Sequence, residues 1–208
     1  MELQPRLLEV SRPREPAGVV IVMHGGAARR SSMMVSPTQL SVLRMVPIAR
    51  RIARAGRGHL AVFRLLNSVR GWDTHHTPVK DAHWALDQVA EQLEGTRPAC
   101  LVGHSLGGRA AVFAASDRAE VRSVVALAPY FTAGDRPASL GDRETLFVHG
   151  DGDRIASPGR AASVAAGLGA RFVAVEGGKH AMLRRHSEFS RPAAEWAVRT
   201  VGMAETSQ

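Results

Sequence analysis

The sequence predicts a doubly wound α/β domain built on a mostly parallel sheet. Short, almost continuously apolar runs alternate with longer stretches of helical spacing, the pattern of βαβ units. The runs lack the polar alternation of half-exposed strands, so helices are expected on both faces of the sheet. The chain has 208 residues, 45% hydrophobic and 22% charged. That is enough for one such core, and no internal repeat, low-complexity segment or long linker divides it. A single domain over 1–208 is therefore expected.

The elements come in this order. Leu3–Val10 reads as an antiparallel edge strand, and Val19–Met23 as the first core strand. Ser36-Pro37-Thr38-Gln39 offers an N-cap Ser, a Pro at N1 and a Gln at N3, a capping-box arrangement that opens a helix. Pro47 should kink or split that helix, because it has no backbone donor. Leu60–Leu65 is the next strand. In Val79–Leu93, residues Val79, Ala82, Leu86, Val89 and Leu93 share one helical face. Then come strand Ala99–Val102, helix Arg109–Ser116, and strands Ser123–Leu127 and Thr145–His149. Ser157-Pro158 opens a helix that stops near Gly167, Arg171–Val175 is the last strand, and Ala193–Val201 the last helix, with Trp196 as a packing anchor. The sum is a sheet of about six to seven strands, with right-handed crossovers. Ligands of such sheets bind beyond the carboxyl ends of the strands, so chemistry is sought there.

Composition excludes several function classes. The formal net charge is +8, but the basic residues run from Arg6 to Arg199, nearly all of them arginine. No block of about five or six like charges marks a polyanion-binding tail, so the excess reads as a solvated surface and no nucleic-acid partner is expected. The single cysteine, Cys100, excludes an intramolecular disulfide framework and a cysteine zinc cage. Met1–Arg6 lacks the apolar stretch of a signal peptide, and no window of about 18 apolar residues exists. A soluble cytoplasmic monomer or homodimer without a membrane partner is expected. Asp73, His75 and His76 read as a polar loop rather than a metal site. Neither a phosphate-binding loop nor a dinucleotide fingerprint occurs, so no cofactor and no metal are expected.

The strongest chemical signal is Gly103-His104-Ser105-Leu106-Gly107-Gly108, placed between a strand and a helix. In that context Gly-x-Ser-x-Gly lifts a serine hydroxyl above the sheet at a helix N-terminus, where free N–H groups favour negative charge. A nucleophilic serine also needs a base, an orienting acid and an oxyanion site. His24-Gly25-Gly26 comes directly after the first core strand and suits an oxyanion loop, with the N–H groups of Gly26 and Leu106 as donors and Ala27 as a neighbouring possibility. His149-Gly150-Asp151-Gly152-Asp153 offers two carboxylates. Asp151 suits a turn contact, and Asp153 is assigned as the orienting acid. His180, on the loop after the last strand, is assigned as general base. Each of Ser105, Asp153 and His180 stands just beyond a strand.

On these motifs the chain resembles the α/β-hydrolase superfamily, in a compact form near the dienelactone-hydrolase and small carboxylesterase branch. The resemblance covers essentially the whole chain. It implies the α/β-hydrolase fold, the chain order Ser–Asp–His, and an acid after the second-last core strand, where Asp153 lies. A dienelactone hydrolase would be expected to hold a cysteine where Ser105 stands, so that particular activity is not expected. Lids in this superfamily are usually inserted after the strand that succeeds the nucleophile helix. Only about 17 residues separate Leu127 from Thr145, too few for a helical cap, so no cap domain and an open site are expected. Met33, Met34, Trp72, Tyr130, Phe131 and Met182 are candidates for an apolar wall, and Arg29 and Arg30 are candidate anion contacts or plain surface arginines. The expected function is a serine hydrolase of a small ester or thioester. The alternative is a non-enzymatic binding protein on the same scaffold.

Overall fold

In the computed structural model, which describes residues 4–26 and 35–202, seven strands form one sheet. They are β1 (Arg6–Ser11), β2 (Gly18–Met23), β3 (Leu60–Leu66), β4 (Ala99–His104), β5 (Val121–Leu127), β6 (Glu144–Gly150) and β7 (Arg171–Val175). Their spatial order is β1-β3-β2-β4-β5-β6-β7. β1 pairs antiparallel with β3, and every other neighbour pair is parallel. This is the α/β-hydrolase fold. The helices are α1 (Leu40–Leu43), α2 (Met45–Ala55), α3 (Thr77–Gln92), α4 (Leu106–Ala115), α5 (Pro158–Gly167) and α6 (His186–Val201).

The period-two alternation of a strand distributes β2 between two cores. Val19, Ile21 and Met23 join Val79 and Ala82 of α3, Ala110 and Ala114 of α4, and Ala161 of α5. Val20 and Val22 face the other way, onto Ile48 and Ile52 of α2 and Phe189 and Ala197 of α6. Every residue of β2 and β4 is buried, whereas the edge strand β7 is buried only at Val175. The continuous apolar runs of the sequence therefore mark the strands covered on both sides.

Strand order reverses at the centre of the sheet. From β2 the chain steps outward to β3, then returns to lay β4 on the other side of β2. A crevice opens where the carboxyl ends of β2 and β4 diverge, the usual ligand position in such sheets. Residues 128–143, between β5 and β6, hold no helix or strand, and no cap domain covers the crevice among the described residues.

The structure departs from the sequence reading at three helices. Ser36 does not cap a helix: its hydroxyl accepts the N–H of Thr38, a local turn contact that competes with a cap, and α1 begins at Leu40 behind Gln39. The stretch then splits at Arg44, which places Pro47 in the first turn of α2, where a missing N–H costs no helical bond. α6 starts at His186 and carries Pro192 inside it. The burial of Phe189, Ala193 and Ala197 against the sheet holds that helix together across the bond Pro192 cannot make.

Candidate active site

The chain leaves β4 through Gly103-His104 and enters α4 at Leu106, with Ser105 alone forming the corner. Ser105 has φ 55° and ψ −116°, a conformation that non-glycine residues avoid and that needs support. The support is local. Ser105 N donates to Leu127 O at 2.9 Å, and Ser105 O accepts from Tyr130 N at 3.1 Å. The corner is also tight. A Cβ on Gly103 would run into the Gly107 carbonyl, and one on Gly107 into the carbonyls of Met23 and His24. Glycine at both places is thus a packing requirement for bringing β2, β4 and α4 together.

The hydroxyl of Ser105 lies 2.9 Å from His180 Nε2, and His180 Nδ1 lies 2.8 Å from Asp153 Oδ2. Because an ionised carboxylate only accepts, Nδ1 carries the proton and Nε2 is left to accept from the serine. Asp153 is buried but well supplied with donors. Its Oδ1 accepts the N–H groups of Ile155 and Ala156 at 2.8 and 3.0 Å, and Oδ2 also accepts His149 Nε2–H at 3.1 Å. Burial pushes this carboxyl up, but the bonds from His149, His180 and the two backbone N–H groups together outweigh it and hold Asp153 well below the usual carboxylate range.

The loop bearing His180 is fastened at several points. His104 Nε2–H donates to the His180 carbonyl at 2.8 Å. Burial, then the neighbouring His180, drop the His104 pKa to about 3, so its ring stays neutral. Gly177 N donates to Asp151 Oδ1 at 2.7 Å, so Asp151 holds the turn while Asp153 meets the histidine.

Across the crevice, Gly25 and Gly26 stand just past β2. A Cβ on Gly26 would strike the carbonyl of Arg70 and the side chain of Leu106. His24 pins this turn: Nδ1–H donates to Gly25 O at 2.6 Å and Nε2 accepts from Asn67 N at 3.2 Å. That pattern fits only the neutral ring, and burial holds the His24 pKa below normal. The N–H groups of Gly26 and Leu106 have no hydrogen-bond partner among the described residues. The segment around Arg70 is anchored by Asp81 of α3, which accepts Ser68 N–H at 2.8 Å and the Ser68 hydroxyl.

These groups line a cleft of about 230 Å³, bounded among the described residues by Gly25, Gly26, Ser41, Arg44, His104, Ser105, Leu106, Tyr130, Ile155 and His180. A larger cavity of about 340 Å³ lies between residues 132–137 and α5. It contains none of the Ser105–His180–Asp153 chain, which meets the smaller cleft at Ser105 and His180.

The expected apolar wall is placed differently. Tyr130 does line the cleft. Trp72 does not: it packs on the α3–α4 side of the sheet, with the Arg109 guanidinium 3.7 Å above its ring. Met182 is also buried in a core, on the α2–α6 side, where it anchors the loop after His180 rather than facing the cleft. Phe131 stacks on Phe147 beneath the sheet's edge. Ala27, Arg29, Arg30, Met33 and Met34 lie outside the described residues. Asp73 accepts the N–H groups of His75 and Thr77 at the start of α3, a turn contact. His149, at the carboxyl end of β6, bonds Asp153. Nothing in the sequence singles out Arg44 and Ser41, which stand three residues apart on one helical face and both line the cleft.

A model of the alpha/beta hydrolase family matches residues 19–204. The chain belongs to that family. No curated protein matches it, but solved structures of alpha/beta hydrolases do. XC6422 from Xanthomonas campestris, described as an a/b serine hydrolase without lid, is 20% identical with a TM-score of 0.66, over 94% of this chain and 87% of that one. A serine hydrolase homologue from Coxiella burnetii is 18% identical with a TM-score of 0.65, over 94% and 89%. Est1E from Butyrivibrio proteoclasticus, solved with ferulic acid bound, is 13% identical with a TM-score of 0.67, over 96% of both chains. These likenesses establish the alpha/beta hydrolase fold along the chain. No helix among the described residues is long and apolar enough to cross a membrane.

Proposed function

We propose that the protein is a serine hydrolase that cleaves small esters or thioesters through an acyl-enzyme on Ser105. The observation that carries this reading is the unbroken hydrogen-bonded chain from Ser105 Oγ through His180 to the buried Asp153, at 2.9 and 2.8 Å. The family and the serine hydrolases among its solved likenesses support it.

In this mechanism His180 Nε2 takes the serine proton as Oγ attacks the acyl carbon. Asp153 keeps Nδ1 protonated and stabilises the imidazolium. The carbonyl oxygen, now an anion, is met by the N–H groups of Gly26 and Leu106, which have no other partner among the described residues, the second of them at the N-terminus of α4. The imidazolium then protonates the departing alkoxide or thiolate, and the acyl group stays on Oγ. Water repeats the sequence, giving up a proton to His180 and releasing the carboxylic acid with Ser105 restored.

The direct test is hydrolysis of short p-nitrophenyl esters by the wild type and by Ser105→Ala. The substitution should lower kcat/KM by about three orders of magnitude or more. Equal rates for the two proteins would refute the mechanism.

A further inference from the structure

Among the described residues lining the cleft, one is permanently charged and not used by the mechanism. Arg44 sits where α1 ends and α2 begins, with helical φ −58° and ψ −31°. The break falls where Pro47 has no N–H for the carbonyl of Leu43, and Arg44 keeps the backbone conformation of the helix across it. Arg44 is half-buried and lines the cleft with His104, Ser105 and His180. Its positive charge reaches the cleft interior, since it helps depress the pKa of the buried His104.

Arg44 also lacks what such a group normally has. Among the described residues it forms no ion pair, and its Nε is buried without a hydrogen-bond partner. No carboxylate is among the described residues lining the cleft, and residues 27–34, which join Gly26 to Val35, contain no Asp or Glu. Desolvation lowers the Arg44 pKa with no partner to offset it. Arg109 of α4, whose Nε is likewise unpartnered, differs in being paired with Asp135 and stacked on Trp72. Beside Arg44, the Ser41 hydroxyl accepts from Gln39 Nε2 at 2.8 Å, which leaves its own proton free to donate. A half-buried guanidinium without an ion pair among the described residues, beside a neighbouring hydroxyl, is suited to an oxyanion brought by the ligand.

We propose that Arg44, assisted by Ser41, binds a carboxylate of the substrate, so that the preferred substrates are small esters or thioesters carrying a negative charge close to the scissile carbonyl. This rests on the serine-hydrolase reading and adds a substrate class to it. The cleft, about 230 Å³ among the described residues, suits an ester with a short anionic acyl or leaving group.

The experiment compares kcat/KM for two matched pairs of esters. One pair places the charge on the acyl side, mono-p-nitrophenyl glutarate against p-nitrophenyl valerate. The other places it on the leaving group, 4-acetoxybenzoate against 4-acetoxybenzamide. In at least one pair the wild type should prefer the anion, and Arg44→Gln should cut that anionic-to-neutral ratio by about tenfold or more. Arg44→Lys should keep part of the preference. Arg57→Gln, which removes an equal charge from an exposed position beyond α2, should keep all of it. Ser105-dependent hydrolysis with no anionic preference in either pair overturns the inference and leaves the mechanism standing. An Arg44→Gln ratio equal to that of the wild type does the same. Absence of any Ser105-dependent hydrolysis overturns both. If Arg44→Gln does not fold, the wild-type ratio and the Arg44→Lys ratio still decide.

Discussion

The two walls of the crevice are held by different physics. On the acid–base wall, side chains converge on charge: His149, His180 and two backbone N–H groups all donate to one buried carboxylate, Asp153. On the opposite wall, proposed to hold the oxyanion, neutral groups and close fit do the same work. Gly26 lies against the Arg70 carbonyl, and the neutral ring of His24 ties the turn to Asn67. The carboxyl that anchors the segment behind that wall, Asp81, has too few donors. Burial raises it to about 6, because bonds from Ser68 offset only part of the desolvation. The same fold therefore supports one wall that depends on an ionised carboxylate and one that depends on space and on rings kept neutral. The first should fail by loss of charge, the second by loss of fit or by pH.

The sharpest break of this contrast is Asp153→Asn. An amide cannot accept from four donors and turn away its own N–H₂, so the His180 tautomer is no longer fixed. A fall in kcat of about 10³-fold or more is expected, with a folded protein by circular dichroism. A change under tenfold would show that the wall does not depend on the carboxylate charge. On the opposite wall, Gly26→Ala adds one methyl group and removes no charge. It should push the turn off the Arg70 carbonyl and misplace one oxyanion donor, lowering kcat by about 10²-fold with little change in the pH profile. An active Gly26→Ala enzyme would remove Gly26 from the oxyanion site.

The smallest effect concerns stability. Asp81 has a folded pKa near 6, above the unfolded value of 3.8. Its contribution is therefore fully present below about pH 4 and is lost as pH rises through 6. Relative to Asp81→Asn, the wild type should lose up to about 3 kcal/mol of stability between pH 4 and pH 7, read from urea melts at each pH. A difference that stays flat, or grows toward acid, would mean that Asp81 is adequately paired. The Asp153 carboxyl has the opposite sign: its folded pKa is depressed, so it stabilises at neutral pH, and that support is lost only as pH falls below the ordinary carboxylate range.

The two walls are also unequally legible in the sequence. Ser105 and its flanking glycines announce themselves because the constraint is local: β4, the corner and α4 are consecutive, and Gly103 and Gly107 are fixed by the backbones they touch. Core strands are legible for a similar reason, since burial on both faces writes an unbroken apolar run. At a strand end His149 reads as packed with a hydrogen bond, but not as a partner of Asp153, because that bond depends on how a four-residue turn folds back, which no periodicity encodes. Trp72 and Met182 read as cleft residues because an apolar side chain looks alike in a pocket wall and in a core. The partners that decide it, Arg109 for Trp72 and the α2–α6 layer for Met182, are remote in sequence. Arg29 and Arg30 draw attention before Arg44 does. Pro47 signals a break in the helix, but not which face of the helix lies on the cleft.

The central claim is that Ser105 is an activated nucleophile, its hydroxyl polarised by His180 and backed by Asp153. Intact-mass measurement after treatment with a fluorophosphonate tests it most directly. The expected result is a single adduct on Ser105 in the wild type, slowed strongly in Asp153→Asn and absent in Ser105→Ala. An unmodified wild type, or equal labelling of Ser105→Ala, would contradict it.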